Sequence, residues 1–144
     1  PVYALAKPKT EDPMDFSFSG LKSSVLQFIS RCERKNESYV PADLACSFQE
    51  TALEALLQRV RYALDHVEGI RHFVAAGGVA ANSRLRALIS EEIAPHYPDI
   101  EFTIPPLSCC TDNAAMIAVA GTIAYQHGRR ADLGISADAG LSLR

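Results

Sequence analysis

Apolar residues recur at helical spacing from Leu21 to about Lys35, where Leu21, Val25, Phe28, Ile29 and Cys32 share one face. After the polar break Asn36 to Tyr39, a longer run begins at Pro41. Leu44, Phe48, Leu53, Leu56, Leu57, Val60, Leu64 and Val67 carry it to Gly69. The spacing predicts two amphipathic helices, the second much the longer. The period then changes. Ile70 to Ala76 and Ile100 to Ile104 are short apolar runs that read as strands, and each leads into another helical pattern. The first of these spans about Ser83 to Ile93 and ends before Pro95. The second runs from Ala114 through Ile117, Ala118, Gly121 and Tyr125, and ends at Gly128 behind His127. Asp15 to Ser19 alternates like a further short strand. Residues 1–14 read as an incoming loop, and 129–144, which have little pattern, as a tail.

Strands alternating with helices imply an α/β architecture, a parallel or mixed sheet flanked by helices. Ligands of such sheets bind beyond the carboxyl ends of the strands. Two polar constellations fall there. Gly77-Gly78-Val79-Ala80-Ala81-Asn82-Ser83 follows the first strand and opens a helix. Its two glycines let a backbone approach a ligand without a Cβ in the way, and the N–H groups of a helix start attract a phosphate or carboxylate. Cys109-Cys110-Thr111-Asp112-Asn113 stands at the corresponding place after the second strand. Two such clusters suggest one site, in which the glycine turn is a nucleotide cradle.

Composition narrows the class without naming the chemistry. The 144 residues fit one domain, with apolar residues at 48% and charged ones at 22%, so disordered, collagen-like and coiled-coil classes are set aside. The net charge of −3 shows no basic stripe for nucleic acid. The densest basic cluster, Arg31, Arg34 and Lys35, sits at a predicted helix end, where cations suit the dipole. Cysteines 32, 46, 109 and 110 lack C-x-x-C spacing, and the only neighbouring pair is directly adjacent, where an ordinary disulfide is difficult, so a reducing cytosol and a cytoplasmic protein are expected. No apolar run is long enough for a membrane span, and the chain, which starts Pro1-Val2-Tyr3, reads as a piece of something longer.

Single residues keep two readings at this point. Asp112 is a helix cap or dipole partner, or a hard ligand for a metal. Asn82 is a cap, a role open also to Ser83, or a donor and acceptor toward a hydroxyl or base edge. Lys22 is an ordinary first-turn lysine or a phosphate contact. His66, His72, His96 and His127 form no i,i+4 pair, so a complete zinc site is not expected. His66 belongs on the exposed side of the long helix, and His127 with a helix C-terminus. Cys32, Cys46 and Cys109 are read as small buried apolar residues, and no role is assigned to Cys110. Neither a G-x-S-x-G elbow nor a Walker motif is present.

Four stretches in order resemble one known family. They are Asp15-Phe16-Ser17-Phe18-Ser19-Gly20-Leu21-Lys22, Ala45-Cys46-Ser47-Phe48-Gln49-Glu50, Ala76 to Arg86, and Cys110-Thr111-Asp112-Asn113 with Ala114 to Ala118. Together they are similar to the bacterial tRNA N6-adenosine threonylcarbamoyltransferases, the TsaD family, and match only its C-terminal part. The resemblance implies one lobe of an actin-like ATPase fold of the ribonuclease H-like, hexokinase and heat-shock ATPase type. It implies transfer of a threonylcarbamoyl group from threonylcarbamoyl-AMP to N6 of the adenosine beside the anticodon, in tRNAs reading codons that begin with A.

By the same resemblance Gly77 and Gly78 would line the adenosine end of the adenylate, Asn82 would bind that substrate, and Asp112 would ligate one iron or zinc ion. The family's two other ligands are histidines in an H-x-x-x-H pattern that this chain lacks. The metal site here would be incomplete and the isolated chain inactive, folding alone and pairing with itself through the surface meant for the missing lobe. Implied partners are tRNA, an inactive paralogue and a small ATPase. The alternatives are a non-catalytic nucleotide-binding or assembly module of the same fold, and a sugar kinase or ATPase.

Overall fold

The computed structural model describes residues 1–7, 10–137 and 140. Helices α1 (Ser19–Lys35) and α2 (Pro41–His66) come first, followed by β1 (His72–Val74), a 3-10 turn (Gly78–Ala81) and α3 (Ser83–Leu88). Strand β2 (Glu101–Thr103), a second 3-10 turn (Leu107–Cys109) and α4 (Ala114–Gln126) complete the order. The two long amphipathic segments, the two strands after them and the helix behind each strand lie where the pattern puts them.

Local chemistry explains the boundaries. Helix α1 stops at Asn36, which takes the left-handed conformation at φ 53° while Arg34 and Lys35 occupy the last turn. Pro41 opens α2 where no intrahelical N–H is needed. Asp15 to Ser19 forms no strand: the only described sheet has two strands, β1 and β2, so these residues have no ladder to join. Phe16 and Phe18 instead stack on each other at 6.4 Å, and the helix begins at Ser19. The expected helix from Ser83 to Ile93 is α-helical only to Leu88. It widens to a π turn over Ile89–Ile93 and continues as a 3-10 turn over Ala94–His96 that includes Pro95, because proline is tolerated where a turn starts.

The strands pair in parallel, His72 with Glu101, Phe73 with Phe102 and Val74 with Thr103. The sheet described is thus parallel rather than mixed, and each strand is shorter than its apolar run. Phe73 and Phe102 turn to one face, their rings 5.2 Å apart, and pack on the core. That core is built from Leu53 and Leu57 of α2 with Leu85, Leu88, Ile89 and Ile93. The other face carries His72, Val74, Glu101 and Thr103, all exposed, so among the described residues helices cover one side only. Helix α4 is apolar around its whole circumference, yet none of its residues is buried. Residues 129–137 hold no helix or strand, and the rest of the expected tail lies outside the described residues except Gly140.

Two polar clamps fix the helices. The hydroxyl of Ser47, fully buried, accepts from the N–H groups of Val2 and Tyr3 and donates to the carbonyl of Asp43. This ties the incoming segment to α2, with Tyr3 against Phe28 of α1 at 4.8 Å. Arg84 of α3 donates Nε and Nη2 to the two carboxylate oxygens of Glu50 on α2, at 3.0 and 3.1 Å.

Leu57 is 1% exposed and lies between α2 and α3. Leu57→Ala is expected to cost about 2–5 kcal/mol, read as a lower urea midpoint at unchanged slope. The Glu50 clamp is tested by pH. The Arg84 guanidinium holds the Glu50 carboxyl below the usual glutamate range. Its contribution is therefore full above the ordinary value of about 4.3 and disappears as pH falls through the folded value. The urea midpoints of the parent and Glu50→Gln should differ slightly at neutral pH and converge in acid. A difference that ignored pH would mean that the clamp is not ionic.

Candidate functional site

Both polar clusters sit at the carboxyl ends of adjacent parallel strands. The ladder continues one step past β1, where the Ala75 N–H donates to the Thr103 carbonyl, and the chain then leaves the sheet. Gly77 makes that exit at φ +86°, a conformation side chains resist, and Gly78 opens the 3-10 turn. A Cβ built on either glycine would meet nothing within 4 Å, so the backbone here faces open space.

Asn82 follows in an extended conformation and caps α3: its Oδ1 accepts from the Leu85 N–H at 2.9 Å. Asn82, not Ser83, is the cap. Its Nδ2 donates to Gln49 Oε1 on α2 at 3.1 Å, which fixes the orientation of the amide. The short α3 therefore does not offer an open N-terminus to an anion; one of its N–H groups is already taken. Beside this pair runs a groove of about 540 Å³, with Phe18, Phe48, Leu53 and Val79 as apolar walls and Gln49 and Asn82 as its polar edge.

Beyond β2 the chain passes Pro105-Pro106 and the 3-10 turn to Cys110, which is 2% exposed. The cap of α4 is Asn113, whose Oδ1 accepts from the Met116 N–H at 3.0 Å. The capping role open to Asp112 thus belongs to its neighbour. The Asp112 carboxylate is exposed and makes no hydrogen bond or ion pair with the described residues. Cys46 and Cys109 are exposed, contrary to the buried role expected of them, whereas Cys32 is buried as expected. Cys46 occupies an outward position of α2, and Cys109 ends an exposed turn.

Arg86 brings the two clusters together. From the second turn of α3 its Nε donates to the Ala80 carbonyl at 2.7 Å, within the glycine turn. Its Nη2 donates to the Pro105 carbonyl and to Cys110 Sγ, the latter at 3.0 Å. No role was expected of Arg86, although a signal was available. It stands four residues after the cap, and helical side chains lean toward the N-terminus, so an arginine there arches back over the helix start. Gln49 lies 33 residues from Asn82, and no local pattern links them.

Other candidates stay apart. His66, His96 and His127 each turn Nδ1 to the carbonyl four residues earlier, at 2.8, 2.9 and 2.8 Å, and His72 pairs with Glu101. His66 is exposed and His127 closes α4, as expected of both. The Lys22 side chain is exposed, along an apolar groove between α1 and α2. Among the described residues no three His, Cys, Asp or Glu side chains cluster to hold a metal ion. The described residues, Asp112 included, do not make a complete metal site. No described helix is long and apolar enough to cross a membrane.

The family model for tRNA N6-adenosine threonylcarbamoyltransferase, TsaD, matches residues 2–119. Curated relatives with that name include one from Bacillus cereus, 48% identical over 132 residues, and one from Geobacillus kaustophilus, 47% identical over 133. A relative from Geobacillus thermodenitrificans is 44% identical over 133 residues. Each alignment covers 92% of this chain and 38% of the relative, so the chain spans well under half the length of the proteins it matches. A match over residues 2–119, which takes in both polar clusters, places the chain in the TsaD family, the tRNA N6-adenosine threonylcarbamoyltransferases.

Proposed function

We propose that this chain is the C-terminal part of a tRNA threonylcarbamoyltransferase, contributing most of one lobe of a two-lobed, actin-like fold. The observation that carries the reading is the meeting of the glycine turn and the Cys110 segment through Arg86, at the carboxyl ends of two parallel strands. It is supported by the family match across both clusters. The exposed apolar surface of α4 fits a lobe that is covered in a larger protein, since a helix apolar all round is a buried helix.

In this reading the open backbone at Gly77 and Gly78 receives the adenosine end of threonylcarbamoyl-AMP. Asn82, whose amide Gln49 holds in place, contacts it with the N–H that Gln49 does not use. The adenosine N6 of tRNA attacks the threonylcarbamoyl carbonyl. A C–N bond forms, the C–O bond to phosphate breaks, AMP leaves, and N6 loses a proton. The exposed Asp112 would give one carboxylate to an iron or zinc ion whose remaining ligands come from outside these residues, and which would polarise the carbonyl under attack. Alone, the chain is inactive and pairs with itself through the surface the other lobe would cover. The tRNA, an inactive paralogue and a small ATPase are its partners in the cytoplasm.

The test is threonylcarbamoyl transfer to tRNA by the whole product of the gene, with metal analysis. Asp112→Ala should lose the bound metal and slow transfer on the order of a hundredfold or more. A variant with the parent's metal content and rate would sink the ligand assignment. Asn82→Ala should weaken use of the adenylate and also destabilise α3, by about 1 kcal/mol through the lost cap.

A further inference from the structure

We propose that Arg86 is a positioning residue that sets the spacing between the glycine turn and the segment bearing Asp112, keeping the adenylate side and the Asp112 side of the site in register. The inference rests on the transferase reading for its functional consequence, and on geometry alone for the tether itself.

The two strand ends cannot hold each other beyond the sheet. The last ladder bond is from Ala75 to Thr103, and two residues later come Pro105 and Pro106, which have no N–H to donate. The Pro105 carbonyl accepts from Arg86 and, at 3.7 Å, from the Cys110 thiol. With the same guanidinium Arg86 reaches the Ala80 carbonyl in the other segment and the sulfur of Cys110. Cys110 also donates from Sγ to the Pro106 carbonyl at 3.5 Å, so the thiol is a second link in the same tether.

The lever is stiff at its base. Arg86 stands between Leu85 and Leu88, both buried in the core, and Arg84 beside it is clamped to Glu50. Its described partners are two carbonyls and a thiol, with no carboxylate among them. It is thus a planar fork serving fixed acceptors rather than half of an ion pair. A lysine keeps the charge but offers donors from one point, and cannot span the same acceptors.

Cys110 reports the tether directly. In the unsubstituted chain, iodoacetamide followed by peptide mass mapping should modify the exposed Cys46 and Cys109 quickly and the buried Cys32 and Cys110 slowly. Arg86→Lys should speed modification of Cys110 about tenfold to a hundredfold, the scale of losing hydrogen bonds to a charged donor, with Cys32 unchanged. In Arg86→Ala, added ethylguanidinium should restore protection. Cys110 remaining as slow as Cys32 in Arg86→Lys overturns the proposal. So does equal acceleration of Cys32, which would report general loosening.

In the whole gene product, Arg86→Lys should lower kcat on the order of a hundredfold while leaving metal content unchanged, as expected of misplaced reacting groups. Ethylguanidinium should recover part of that loss in Arg86→Ala. Unchanged kcat with Cys110 released would refute the positioning role. An unsubstituted protein that transfers nothing, while Cys110 still responds to Arg86→Lys, would instead refute the transferase reading and leave the tether standing.

Discussion

Burial of Leu53 and Leu57 against Leu85, Leu88, Ile89 and Ile93 is the interaction on which the rest of this structure depends. It seats the short α3, which at six residues would not persist alone. The cap, the fork and the clamp all stand on that helix. Asn82 begins it, Arg84 reaches α2 from it, and Arg86 reaches both strand ends from it. The polar geometry is thus a consequence of apolar packing: once α3 is held by its buried leucines, its polar side chains have few directions left.

The same packing is one-sided. Phe73 and Phe102 spend the inner face of the sheet on the core, and Val74, 62% exposed, stands on the outer face. Helix α4 presents Met116, Ile117, Val119, Ile123 and Tyr125 to solvent. Scattered exposed apolar residues are ordinary, but a helix apolar all round with no buried residue is a surface suited to burial.

Much of this was legible in the sequence. The periods of α1 and α2 are long and regular, and the strand-turn-helix order around Gly77 follows from an apolar run meeting two glycines. What escaped was set by tertiary contact. The alternation at Asp15 to Ser19 is a strand signal that finds no neighbouring strand. Asp112 and Asn113 are equally good caps by type, and only the backbone decides that Asn113 has the extended conformation a cap needs. Arg86 was readable in part, from its spacing to the cap. Gln49 was not, since its partner lies a helix and a strand away.

The double commitment of Asn82 limits how a ligand can use it. Its Oδ1 holds the Leu85 N–H and one Nδ2 hydrogen goes to Gln49, so a bound molecule meets a single remaining N–H and the open side of the carbonyl oxygen. That geometry is fixed before binding, and a preorganised donor loses little entropy when the ligand arrives. Asp112 is the opposite case. Exposed and without partners among the described residues, it brings charge but no fixed direction, and one carboxylate in water holds a divalent ion weakly. In the proposed reading, discrimination therefore begins at the glycine turn and Asn82. On the Asp112 side the proposed ion is held by groups beyond this carboxylate, and Arg86 serves the register between the two segments rather than the affinity for the ion.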